Sequence, residues 1–218
     1  MIKVAYCNVE NLDLSKAYHL APKDRREKID FYRFEKDKKL SAGAFLLLRK
    51  LLKEQNIADF EIKNGKYDKP YISNYENIYF NLSHSGKMVL CAISDREIGA
   101  DIEYNDPEID LNIAKNFFFN REYESIMNSE SPSDEFFKYW VLKESYMKYT
   151  GLGFLLDLNK FEIVTDDGKI RVKNQKEELK EDEDKVQFSY FDMNKYKLAI
   201  SSEDNVEDIF EYKIEDLY

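Results

Sequence analysis

The alternation of apolar and polar positions is clearest from Phe136 to Gly153, where the chain reads FFKYWVLKESYMKYTGLG. Phe137, Trp140 and Val141 share one helical face, with Phe136, Tyr139 and Met147 beside it, so the spacing predicts one helix ending at a glycine. One turn further that face carries Glu144, and then Lys148. At about 100° per residue, Glu144 projects between Trp140 and Val141, and Lys148 projects close to Glu144. An i,i+4 Glu–Lys pair ordinarily marks a wet face. Here the flanking Trp, Phe and Val argue otherwise, and an acid and a base set among them need partners. Glu144 and Lys148 are therefore candidate site residues.

Residues 2–9 read as a strand. From Pro22 to Leu52 the apolar spacing fits one or two helices, most strongly over Lys38–Leu52, while His19 falls in a loop-like segment. Phe60–Ile62 reads as a short strand, Asn64-Gly65-Lys66 as a turn, and Lys69-Pro70 as an extended loop. Ile78–Leu82 predicts a strand entering a polar turn, Ser83-His84-Ser85-Gly86. With Met88–Ile93 and Ile98–Glu103 it suggests a meander. A short helix over 111–119 comes next, then one capped by Asn120. Ser131-Pro132-Ser133-Asp134 starts the long helix, with Ser133 or Asp134 as the capping side chain. Beyond Gly153, residues 161–163, 169–172, 185–191 and 196–200 are strand-like, with Asp166-Asp167-Gly168 as a hairpin turn. The tail over 209–217 suggests an edge strand or a short helix. Lys87–Ser94 and Lys195–Ser201 echo each other weakly, each following a helical region. Two similar α+β halves packed face to face would explain the echo, and would put a site in the cleft between them.

Hydrophobic content of 43% with 15% aromatics supplies a core for one domain or two small fused ones. A net charge of −10 disfavours nucleic acid as partner. Bases crowd from Lys23 to Lys39, which suits a small polyanionic ligand; on charge alone, the interleaved acids Asp24, Glu27, Asp30, Glu35 and Asp37 favour a solvated helix face instead. Cys7 and Cys91 lie in apolar runs and read as reduced core residues, too few for a zinc site. No apolar run is long enough to span a bilayer and no signal-peptide core opens the chain, so a cytoplasmic protein with no membrane partner is expected.

Asp101 and Glu103 alternate along a predicted strand and so project from one face. Two such carboxylates raise each other's pKa unless a cation sits between them, and hard oxygen ligands suit Mg²⁺. Glu144 would supply a third. His84, between two serines, can donate to phosphate oxygens; a Ser–His nucleophile is disfavoured because neighbours on a strand point opposite ways. Three carboxylates, a lysine, a histidine and a basic segment fit transfer chemistry on a phosphoanhydride.

Three stretches, Phe80–Gly86 (FNLSHSG), Ile98–Glu103 (IGADIE) and Trp140–Lys148 (WVLKESYMK), carry a resemblance to the Sfp-type 4′-phosphopantetheinyl transferases. The resemblance implies a pseudo-twofold pair of α+β halves, residues 1–98 and 99–218, with the active site in the cleft between them. It implies transfer of phosphopantetheine from coenzyme A to a serine of an apo acyl or peptidyl carrier protein, with Mg²⁺, releasing 3′,5′-ADP. Asp101, Glu103 and Glu144 match the metal ligands. Glu144, Lys148 and His84 match the catalytic groups, Glu144 as base for the carrier serine. Arg25, Lys28, Ser41, Lys69, Ser83, His84 and Lys148 match coenzyme A contacts, and Glu122 matches a further acid near the metal. The segment after Gly151, with Leu152, Phe154 and Leu155, matches the carrier-facing region. Two departures stand out: Val141 follows Trp140, where a small or hydroxylated residue is usual, and Asp68 replaces the glycine before Lys69-Pro70. The alternative is a coenzyme A- or carrier-binding module without catalysis, against which the intact acidic and lysine positions speak. Since both halves lie in one chain, a monomer is expected.

Overall fold

A computed structural model of the chain describes residues 1–176 and 179–218, so Glu177 and Glu178 of the acidic run lie outside the described residues. Strand β1 (Ile2–Asn8) leads into three helices, α1 (Leu14–Leu20), α2 (Lys23–Phe31) and α3 (Glu35–Glu54). The helical spacing over 22–52 thus resolves into two helices. Helix α1 was not expected, and it carries His19. Its start is set locally, because the Asp13 side chain accepts the Lys16 N–H at 3.0 Å. Helix α3 buries most of the run from Leu40 to Leu52. A short hairpin, β2 (Ile62–Asn64) and β3 (Pro70–Ile72), starts two residues later than the pattern suggested. Strands β4 (Tyr79–Ser85), β5 (Met88–Ser94) and β6 (Ile98–Tyr104) follow.

The second half contains α4 (Asn112–Phe117), α5 (Asn120–Met127) and α6 (Pro132–Thr150). After these come β7 (Phe161–Asp166), β8 (Lys169–Asn174), α7 (Lys180–Glu183), β9 (Gln187–Asp192) and β10 (Tyr196–Ser202). Strand β11 (Phe210–Tyr212) and a 3₁₀ turn over Ile214–Leu217 end the chain, so the tail forms both a strand and a helical turn. Asp167 and Gly168, both at positive φ, close the β7–β8 hairpin. Helix α6 starts at Pro132, four residues before the apolar stripe, and stops at Gly151 with φ of 70°. No side chain caps α5 or α6 in the expected way. Asn120 is already helical in α5, and Asp134 is engaged elsewhere.

Two principal sheets result, with strand orders β11-β1-β5-β4 and β6-β10-β9. Strands β5 and β10, the two echoing segments, are each flanked on both sides. The meander expected over 78–103 does not form. Strands β4 and β5 make a hairpin, but β6 pairs with β10, with Glu103 opposite Lys197. Ser83-His84-Ser85 is strand rather than turn, and this explains the switch. Alternate side chains of β4 take the N–H groups along the outer edge of β6. Asn81 Oδ1 accepts from Ala100 (3.1 Å), Ser83 Oγ from Ile102 (3.4 Å) and Ser85 Oγ from Tyr104 (3.0 Å). An edge satisfied by side chains needs no backbone neighbour. Apolar residues of β5, β6 and β10 then pack together between the two sheets, around Leu90, Ala100, Ile102 and Leu198. Helix α6 lies on β6 so closely that a Cβ on Gly99 would stand 1.9 Å from the Ser145 carbonyl oxygen.

Candidate active site

The rungs that join β4 to β6 also aim the carboxylates. Ser83 Oγ takes the Ile102 N–H and donates to Asp101 Oδ1 at 2.7 Å; Ser85 Oγ takes the Tyr104 N–H and donates to Glu103 Oε2 at 2.6 Å. From α6, Lys148 Nζ reaches Asp101 Oδ1 at 2.6 Å, Ser83 Oγ at 3.1 Å and the Ala100 carbonyl at 3.2 Å. Glu144 sits one turn earlier on the same helix. Burial first, and then the charge of Asp101, push Glu144 up to about 7 against the pull of Lys148. Burial and Asp101 likewise push Glu103 up to about 7, with Ser85 and Lys148 opposing and Glu144 adding to the rise. Three acids thus share one neighbourhood with one lysine.

Among the described residues, no group of three or more His, Cys, Asp or Glu side chains could hold a metal ion as it stands. The donor set nevertheless fits a divalent cation. Asp101 Oδ2 and Glu144 Oε1 are buried without a hydrogen-bond partner. Two of the acids are held above the usual carboxylate range by burial and by the charge of Asp101. Hard anionic oxygens left unpaired are what Mg²⁺ takes.

Beside this cluster opens a cleft of about 830 Å³ whose lining includes Arg25, Lys28, Ser41, Lys69, His84 and Lys148. Arg25 donates to the Ser41 carbonyl oxygen, while its Nε and the Ser41 hydroxyl are buried and unpartnered. Burial lowers the Arg25 pKa; loss of water contact and repulsion from Arg25 lower that of Lys28. His84 is lowered by the same loss of water and by Lys148 and Arg25. Cations that lack counter-charge favour an anionic occupant. Lys69 Nζ is held by Glu97 Oε2 at 2.5 Å and by the Tyr149 carbonyl at 3.1 Å. Just before it, Asp68 has φ of 61°. That left-handed backbone is the one glycine adopts freely and aspartate tolerates, so the replacement keeps the loop's course.

Six of the seven residues matched to coenzyme A contacts line one cleft. Ser83 is the exception: it is buried in the carboxylate cluster, not in the cleft lining. Glu122 departs further from its match as an acid near the metal. It is buried in an ion pair with Lys143 Nζ at 2.9 Å, and accepts the backbone N–H groups of Ile163 (2.7 Å) and Phe119 (2.9 Å). Lys143 also donates to the Leu158 and Phe161 carbonyls, both at 2.8 Å. With both oxygens engaged, Glu122 is an anchor for α6. The pattern along α6 flagged Glu144 but missed Lys143, which is fully buried. Asn81 and Ser85 were missed as well, although a polar residue at every second position of β4 was the available signal. Of the segment after Gly151, Leu152 is partly buried and Leu155 is exposed; the Phe154 side chain lies outside the described residues.

Fold and site together define a two-sheet α+β protein in which a cation-lined cleft ends at a carboxylate–lysine cluster. Residues 9–96 match the family model for the 4′-phosphopantetheinyl transferase N-terminal region, and residues 97–201 match that for the 4′-phosphopantetheinyl transferase superfamily. A 4′-phosphopantetheinyl transferase of Bacillus subtilis is 32% identical over 184 residues, 81% of this chain and 80% of that one. The transferase Sfp of Bacillus subtilis strain 168 is 32% identical over 155 residues, covering 68% and 69%. HetI of a Nostoc species is 48% identical over 80 residues, 35% of this chain and 34% of that one. The chain belongs to the 4′-phosphopantetheinyl transferase family.

Proposed function

We propose that this protein transfers the 4′-phosphopantetheine group of coenzyme A to a serine hydroxyl of an apo acyl or peptidyl carrier protein, with Mg²⁺, and releases 3′,5′-ADP. The observation that carries the reading is Lys148. It lines the cation-rich cleft and pairs with Asp101 in the acidic cluster, so an anion in the cleft meets the acids at that residue. Arg25, Lys28, Ser41 and Lys69 would hold the nucleotide phosphates, with His84 donating to a phosphate oxygen. Asp101, Glu103 and Glu144 would hold Mg²⁺, which when bound offsets negative charge on the phosphate oxygens.

The carrier serine oxygen attacks the β-phosphorus of coenzyme A. The bond from that phosphorus to the bridging oxygen breaks, and 3′,5′-ADP leaves. Glu144 accepts the serine proton, directly or through a water, for which a carboxylate held near neutrality is suited. Lys148 stabilises the charge gathering on the departing phosphate. A monomer acting in the cytoplasm completes the reading.

Intact mass of an apo carrier incubated with the protein, coenzyme A and Mg²⁺ tests this directly. One added phosphopantetheine arm, absent with EDTA or with Glu144→Ala, is the expected result. If coenzyme A binds but several acyl and peptidyl carriers stay apo, the protein is a binding module. If coenzyme A does not bind, the substrate assignment fails.

A further inference from the structure

Lys197 lies on β10 directly across from Glu103 on β6. Directly opposed residues of antiparallel strands share a face, with Cβ atoms about 4.5–5.5 Å apart. The natural partner of Glu103 is therefore a lysine in the next strand, and the side chain of that lysine is only 3% exposed. The two do not pair. Lys197 Nζ turns instead to Asp134 Oδ1 at 2.7 Å and Asp192 Oδ2 at 2.9 Å. Asp134 sits in the first turn of α6, held by the Ser131 hydroxyl at 2.6 Å and by Asn105 Nδ2. Asn105 follows Glu103 by two residues. Among the described residues the Glu103 carboxylate has one hydrogen bond, from Ser85.

We propose that Asp134, assisted by Asp192, is a positioning residue: it holds the Lys197 ammonium off Glu103 and keeps that carboxylate available to a divalent cation. The inference rests on the reading that Asp101, Glu103 and Glu144 hold Mg²⁺. One helix then does two opposed things. Its C-terminal half brings Glu144 and Lys148 to the acids, and its first turn draws a second lysine away from them. A second cation in contact with the cluster would compete with the metal for the same oxygens.

The test is calorimetric titration of Mg²⁺ into the protein with coenzyme A present. Asp134→Asn is expected to weaken Mg²⁺ binding by about tenfold, and Asp134→Asn/Asp192→Asn by more, as Lys197 closes on Glu103. Adding Lys197→Met to either variant is expected to return the affinity to within about threefold of the wild type. A purely structural role for Asp134 would leave the variants with Lys197→Met as weak as those without it, and that outcome overturns the proposal. So does wild-type affinity in Asp134→Asn. Should the Asp134→Asn/Asp192→Asn variant fail to fold, Asp134→Asn with and without Lys197→Met decides the matter. A wild-type protein that binds no Mg²⁺ sinks the metal reading itself, whatever the variants do.

Discussion

Lys148 Nζ and Asp101 Oδ1 stand 2.6 Å apart, and Ser83 Oγ donates to the same oxygen. One carboxylate oxygen is thus saturated while its twin, Oδ2, is buried with no partner. Replacing Lys148 by alanine removes the cation from the cluster and the stabilising charge from the leaving group. Transfer is expected to slow by about 10²- to 10³-fold in kcat, as for loss of one preorganised donor. The variant should also gain more thermal stability from Mg²⁺ than the wild type does. Initial rates and melting curves with and without Mg²⁺ check both; a kcat within about threefold of wild type removes Lys148 from the chemistry.

Glu144 keeps its proton up to about 7 in the folded chain, against an ordinary value of 4.5. Between those values the folded state binds the extra proton. Its stabilising contribution is therefore full below the ordinary value and lost as pH rises towards 7. Glu144→Gln has no such titration. Without metal, its melting temperature should gain on that of the wild type as the pH is raised from about 5 to about 8. A constant difference across that range would mean that Glu144 titrates as an ordinary carboxyl.

The buried Glu122–Lys143 pair gives an opposite expectation for an acid that the family resemblance placed near the metal. Glu122→Gln leaves the Lys143 ammonium uncompensated and should cost ~3–5 kcal/mol in urea unfolding. Glu122→Leu/Lys143→Met should not recover that loss, because the Ile163 and Phe119 N–H groups and the Leu158 and Phe161 carbonyls then lose their side-chain partners. Mg²⁺ affinity of the folded fraction should not move. Weakened Mg²⁺ binding with stability intact would return Glu122 to the site.

Gly99→Ala puts a methyl group 1.9 Å from the Ser145 carbonyl oxygen and 2.4 Å from the Tyr149 nitrogen, both backbone atoms. Overpacking against backbone is expected to cost about 1–3 kcal/mol or more. Because it pushes α6 off the strand that carries Asp101, activity should fall even in the folded fraction. Unfolding curves and rates per folded molecule separate the two effects.

How much of this was legible beforehand follows from what periodicity reports. The stripe along α6 located Glu144 and Lys148 because an interruption in an apolar face is a local signal. Strand alternation paired Asp101 with Glu103 for the same reason. Pairing between strands is not local. The turn residues after Ile93 favoured a meander, and only the rungs from Asn81, Ser83 and Ser85 show why β6 crosses to the other sheet. Lys143 gave no local sign of burial, because its partner Glu122 is remote in sequence and on another helix. Helix α1 was overlooked since its signal is a single capping aspartate before a short segment. Nor does any local pattern announce that Lys197 is drawn to Asp134 rather than to its neighbour across the strand.

The joint between β4 and β6 has a consequence for how this protein tolerates change. Ordinary strands are stitched by amide groups common to nearly every residue, so their seam is indifferent to spelling. Here the stitches are two hydroxyls and a carboxamide, each supplied by one particular side chain. Two of the three also steer a site carboxylate. A drifting lineage therefore cannot loosen this seam and keep its acids aimed; a substitution at Ser83 or Ser85 alters shape and chemistry in the same stroke.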